Sequence, residues 1–123
     1  MSTIRSLGLL GALVAGFLAT GCAGRPEYVA EPEKATTILE ETLAAWRDGV
    51  SCEALRERKP PVFVADERWL RGAELTSFTI HDKKPFGPST RFDVTLEGPP
   101  PLGKKKVVYS VSTQPNISVA LGD

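Results

Sequence analysis

Cysteine and histidine, the residue types that most often form covalent intermediates or hold zinc, are scarce in this 123-residue chain. The chain has two cysteines, Cys22 and Cys52, and a single histidine, His81. Their spacing does not match a zinc site, and no loop carries the several carboxylates that calcium needs. We therefore expect no bound metal, and the chemistry that remains to be explained is that of the cysteines.

Cys22 stands at the end of an apolar run that begins at Leu7, after a single charged residue, Arg5. The run to Ala19 would form a helix roughly 20 Å long, which is short of the roughly 30 Å hydrocarbon core of a bilayer. Small residues then lead into the cysteine. This pattern predicts a cleaved export signal rather than a permanent membrane span.

The end of this run resembles the lipobox of bacterial lipoproteins, which usually reads Leu, two small residues and Cys. Thr20, Gly21 and Cys22 fit its last three places, while Ala19 occupies the place of the usual leucine, which is found one position earlier. The resemblance implies removal of residues 1–21 and lipidation of Cys22 by a diacylglycerol thioether, with an acyl chain such as palmitate on its amino group. The alternative is an ordinary secretory signal in which Cys22 is incidental.

Such a lipid anchor implies a membrane as the first partner and the cell envelope as the location, since several acyl chains together give stable binding. Ala23, rather than Asp, follows the cysteine. In Gram-negative lipoproteins this implies the periplasmic face of the outer membrane.

The chain from Cys22 onwards has 102 residues, which is enough for one domain. Its 14 Lys and Arg balance 15 Asp and Glu, so it lacks the basic excess of a nucleic-acid binder. With Cys22 lipidated, Cys52 is the one thiol left and has no partner for an intramolecular disulfide. Burial is the commonest state of such a cysteine.

The patterning divides the chain into a signal (residues 1–21), a lipidated tether (residues 22–32) and a single α+β domain (residues 33–123). Apolar residues at helical spacing predict a long helix over 33–48, ended by Gly49, and Ser51 is placed to cap a short second helix. Residues 62–64 form a short β-like run, and Asp66 is placed to cap one turn of helix. Alternating apolar residues then predict four strands, near 75–81, 90–97, 106–111 and 117–121.

These elements predict one long amphipathic helix packed on a curved four-stranded antiparallel meander. The order resembles the NTF2-like and cystatin-like folds and is similar to small uncharacterised exported proteins of planctomycete-type bacteria. The residues that carry the resemblance are Pro60 to Asp66, Trp69, Gly72 and Pro85-Phe86-Gly87. That family implies no activity.

Strand alternation argues against an enzyme. Asp93 and Glu97 alternate with the apolar face of their strand, and His81 alternates with Phe78 and Ile80, so all three are expected to face solvent. There is also no glycine-rich loop of the kind that cradles a phosphate, so no nucleotide cofactor is expected.

Three hypotheses about the function remain, of which the third, a purely structural or assembly role, shares the sequence features of the first. The first is an interaction domain that contacts an envelope protein or the cell wall. The second is a small hydrophobic-ligand binder, or a degenerate enzyme, whose cavity under the helix would be lined by Trp46, Leu43 and Phe92. Phe86, in a loop with proline and glycine, is a candidate exposed contact. Two lysine runs, 83–84 and 104–106, are either solvated strand ends or a basic patch that faces lipid or cell-wall polymer. The sequence does not indicate an oligomeric state.

Overall fold

The computed structural model describes residues 27–122, which form three helices packed on a five-stranded sheet. The helices are α1 (Pro32–Arg47), α2 (Cys52–Arg56) and α3 (Glu67–Leu70). The strands are β1 (Val62–Ala65), β2 (Ser77–Phe86), β3 (Ser89–Gly98), β4 (Gly103–Ser112) and β5 (Ile117–Gly122).

The sheet is mixed, with the strand order β1-β5-β4-β3-β2. Strands β2 to β5 form antiparallel neighbours, whereas β1 pairs in parallel with β5, from Val62 opposite Ile117 to Ala65 opposite Ala120. The prediction of one long helix on a four-stranded antiparallel meander, and with it an NTF2-like or cystatin-like fold, is therefore wrong. The reason is that β1 finds its partner more than fifty residues later, a pairing that no local pattern encodes.

Helix α1 follows from its local sequence. Pro32 occupies the first turn, where no helical hydrogen bond needs the N–H that proline lacks. The negative charge of Glu33 lies at the positive end of the helix dipole, and the positive charge of Arg47 lies at its negative end. Its buried face consists of Ala35, Leu39, Thr42, Leu43, Ala45 and Trp46. Gly49 follows with a φ of 87°, a left-handed conformation that ends the helix.

The core lies between this helical face and one face of the sheet. Phe92 on β3 and Tyr109 on β4 are direct neighbours in the ladder and are both fully buried. Every buried apolar residue of the described chain lies between Ala35 and Val119. The opposite face of the sheet exposes charged side chains such as Asp93 and Lys106.

Helix α1, about 24 Å long, gives the domain two ends. At the first, Lys83 on β2 donates to Thr36 Oγ1 (3.0 Å) and contacts Glu33, and Thr113 donates to the carboxylate of Glu31. We call this the tether end, and it includes the β2–β3 turn. At the second, the distal end, Trp46 contacts the loop after α3, and that loop contacts the end of β3.

No helix among residues 27–122 is long and apolar enough to cross a bilayer. The predicted signal and Cys22 lie outside the described residues.

Gly98, at the distal end, is expected to be intolerant of a side chain. A Cβ at this position would lie 2.2 Å from the backbone oxygen of Glu74 and 2.9 Å from Leu102 Cδ2. Because a backbone atom cannot rotate away, Gly98→Ala should lower the free energy of unfolding by about 1–3 kcal/mol in urea denaturation. Gly122→Ala is the control, since its nearest neighbour would be 3.4 Å away. Equal stabilities of the two variants would contradict the close approach.

Candidate functional site

Two tryptophans stack against each other at the distal end of the domain. The rings of Trp46, in the last turn of α1, and Trp69, in α3, have centroids 5.0 Å apart and planes inclined by 5°. Both side chains are almost fully buried, with 3% and 7% of their surfaces exposed. The pair is therefore part of the core and offers little ring surface to a ligand.

The two indole N–H groups cross-link the loops that follow these helices. Trp46 Nε1 donates to the backbone oxygen of Ala73 (2.8 Å), in the loop after α3. Trp69 Nε1 donates to the backbone oxygen of Val50 (3.1 Å), in the loop after α1. Each ring thus holds the loop belonging to the other helix, and we call this arrangement the tryptophan clasp.

A cleft of about 500 Å³ opens between these two loops. Its walls are residues 46–51, 69–70 and 72–75, with the charged residues Arg47, Asp48 and Glu74 among them. Trp46 lines this cleft, whereas Leu43 and Phe92 do not and are instead buried in the core. The cleft is therefore formed by loops with polar rims, and it differs from the apolar cavity under the helix that the sequence suggested.

Among the described residues, Asp66 is the one charged residue that is buried, with 1% of its surface exposed. It follows β1 directly and caps α3, where its Oδ1 accepts from the backbone N–H of Arg68 (3.0 Å). The Nε of Arg68 also approaches Oδ1, at 3.4 Å. The other carboxylate oxygen, Oδ2, accepts a 2.6 Å hydrogen bond from the hydroxyl of Tyr109 in the middle of β4.

Burial raises the pKa of Tyr109 well above its usual value, and the charge of Asp66 and the hydrogen bond to it add to the effect. The phenol therefore stays protonated and serves as a permanent donor to the carboxylate. Cys52 lies buried in the same region, and burial together with the nearby carboxylates of Asp66 and Glu53 raises the pKa of its thiol. Such a thiol is held in its unreactive protonated form.

This polar cluster of Asp66, Arg68, Tyr109 and Cys52 has the residue types of a catalytic site but the geometry of a structural one. Both oxygens of the Asp66 carboxylate are engaged within the protein, and none of the four residues lines the cleft between the loops. A general base needs a free oxygen within reach of substrate, which Asp66 does not offer. The cluster therefore fixes the end of β1 and the start of α3 against the central strand.

The sequence-predicted surface residues lie on the open face of the sheet. A bulge between Ile80 and Lys83 interrupts the pairing of β2 with β3, and His81 there makes a 2.8 Å hydrogen bond with Thr95 Oγ1. Asp93 and Glu97 are exposed, in agreement with the strand alternation. Among residues 27–122, no three side chains of His, Cys, Asp or Glu come together as metal ligands.

Sequence reasoning identified Asp66 as a helix cap but missed its buried bond to Tyr109. The positions are 43 residues apart, and Tyr109 carries the same alternation signal as any apolar strand residue. The available signal was that a buried tyrosine needs a partner for its hydroxyl. That rule predicts an acceptor without saying which one.

The tryptophan clasp should appear as an energetic coupling. Trp46→Phe and Trp69→Phe each remove one indole hydrogen bond and part of the stacked surface. Because the rings touch, we expect the double variant to lose less stability than the sum of the single losses, with a coupling of about 0.5–1.5 kcal/mol in urea denaturation. Strictly additive losses would show that the rings do not stabilise each other.

Tyr109→Phe should lower the free energy of unfolding at neutral pH. It should also make that free energy fall less steeply as the pH rises into the alkaline range. Without the phenol, the buried carboxylate loses a donor, at a cost of about 1–3 kcal/mol. Because the raised pKa of Tyr109 lets the folded protein hold a proton that the unfolded chain releases above about pH 10, wild-type stability should fall as the pH rises past that value.

Unfolding measured by urea from pH 8 to 11 tests this prediction. The fall should be shallower in Tyr109→Phe than in the wild type. Tyr28→Phe, which removes the exposed tyrosine, is the matched control. A wild-type slope retained in Tyr109→Phe would contradict the assignment.

The chain was also compared with known proteins. No protein-family model matches it, and neither the curated proteins nor the solved structures gave a significant match.

Proposed function

We propose that this protein is a lipoprotein of the cell envelope, anchored through Cys22, whose small α+β domain binds another envelope component without catalysing a reaction. The anchor is supported by the apolar segment that ends in Thr20-Gly21-Cys22. If the bacterium is Gram-negative, Ala23 favours the periplasmic face of the outer membrane.

One observation carries the non-catalytic part of the proposal. Asp66, the buried charged group of the described residues, has both oxygens engaged in holding the fold together. The ionisable residues that could act in its place, such as His81 and Asp93, are exposed on the open face of the sheet. Binding needs no such activated group.

The cleft beside Trp46 favours a second candidate function, the binding of a small ligand in an otherwise similar envelope protein. Its volume of about 500 Å³ lies in the usual range for ligand sites. The charged residues on its rim, Arg47, Asp48 and Glu74, suit a polar ligand better than the hydrophobic one that the sequence suggested.

The anchor is tested by labelling bacteria that express the full chain with a radioactive fatty acid. We expect label in the wild type and in Cys52→Ala, because Cys52 is buried and is not the acceptor. Cys22→Ala should remain unlabelled and be recovered in soluble rather than membrane fractions. Label that persists in Cys22→Ala would overturn the anchor, and so would an unlabelled wild-type protein.

A further inference from the structure

We propose that the tether end of the domain also contacts the phospholipid surface directly, through a patch formed by Phe86, Arg91 and Lys84. This inference deepens the proposed function and rests on the anchor at Cys22. It assigns the membrane a second role, as a surface that orients the domain.

The patch combines an exposed ring with two cations that form no ion pair within residues 27–122. Phe86 ends β2 and exposes 53% of its surface, beside the turn at Gly87. The guanidinium of Arg91 lies 3.8 Å from the centre of its ring. Lys84 is the direct cross-strand neighbour of Arg91, so their side chains share the open face of the sheet.

Neither cation forms an ion pair with another of the described residues. Among residues 27–122, no carboxylate lies within 4.0 Å of Lys84 or Arg91, whereas the neighbouring Lys83 is held by Glu33. The guanidinium of Arg91 lies over the Phe86 ring, so the cation and the ring belong to one patch. A planar guanidinium recognises phosphate well, and an aromatic ring is favoured at the depth of the lipid headgroups.

Asp82 and Asp93 border the same patch, so its net charge is small. The surface therefore suits phospholipid headgroups, which offer phosphate and ammonium groups together above an apolar layer. A purely anionic polymer would be repelled by the two carboxylates while gaining nothing from the exposed ring.

The tether joins the domain at the same end as the patch, which favours contact of this end with the membrane. Glu31 is fixed to the domain by its bond with Thr113, and eight residues lie between it and Cys22. A fully extended segment of that length reaches about 30 Å, and any bend shortens it. Tyr28 and Val29, on the same segment, are exposed and add apolar surface at this end.

The distal end provides the matched comparison. Leu70 is as exposed as Phe86, with 58% of its surface free, but it lies in α3 beside the tryptophan clasp. The lysine run 104–106 also lies at that end, where Lys104 contacts Glu97. With helix α1 between the two ends, a membrane that touches Phe86 does not reach Leu70.

The test uses the chain from Cys22 onwards, which contains the whole described core, coupled through the Cys22 thiol to a maleimide lipid. Cys52→Ala leaves that thiol as the single reactive one. The vesicles are phosphatidylethanolamine and phosphatidylglycerol, with or without brominated acyl chains. Two variants are compared, Phe86→Trp and Leu70→Trp. In both, the buried rings of Trp46 and Trp69 contribute the same background fluorescence.

We expect brominated lipid to quench the added emission of Phe86→Trp and to leave that of Leu70→Trp unchanged. Adding Arg91→Gln to Phe86→Trp should reduce the quenching. Emission from Phe86→Trp that is unquenched, or quenching of both variants to the same extent, would overturn the proposal. Because the lipid is attached chemically in this experiment, the quenching result does not depend on whether cells lipidate Cys22. Failure of this proposal and failure of the proposed anchor can therefore be distinguished.

Discussion

The hydrogen bond between Tyr109 and Asp66 is the contact on which the arrangement of the other elements depends. It joins the central strand β4 to the junction where β1 ends and α3 begins. Through β1 it holds the parallel edge of the sheet, and through α3 it positions Trp69 against Trp46. A buried carboxylate is costly unless its oxygens are bonded, and here each oxygen has at least one donor. The same bonding engages both oxygens of Asp66 in contacts that hold the fold together.

The two ends of the domain have different characters as a result. The distal end is tied together by the tryptophan clasp, the cap at Asp66 and the close approach of Gly98 to Glu74. The tether end is closed by side-chain contacts from Glu31 and Lys83 and leaves Phe86 exposed. A lipid on Cys22 would bring the tether end towards the bilayer and direct the distal cleft away from it. In that arrangement the cleft is the surface available to a soluble or cell-wall partner.

Local patterns predicted most of the elements, because each is encoded by neighbouring residues. The helix that ends before Gly49, the cap at Asp66 and the strands with alternating apolar residues are of this kind. The sheet order was not predictable in the same way, since β1 pairs with a strand more than fifty residues away and in the parallel direction. The candidate site shows the same limit. Trp46 and Trp69 were recognisable as large core residues, but their exchanged bonds to Ala73 and Val50 depend on how two loops meet.

A double-mutant cycle on Asp66 and Tyr109 tests most directly whether the buried carboxylate belongs to the fold. The free energies of unfolding of the wild type, Asp66→Ala, Tyr109→Phe and the double variant are measured in urea at neutral pH. The account predicts a coupling of about 1–3 kcal/mol, because both groups are buried and bonded to each other. Additive losses, with no coupling, would show that the bond does not hold β1 and α3 to the central strand and would contradict the structural role given to Asp66.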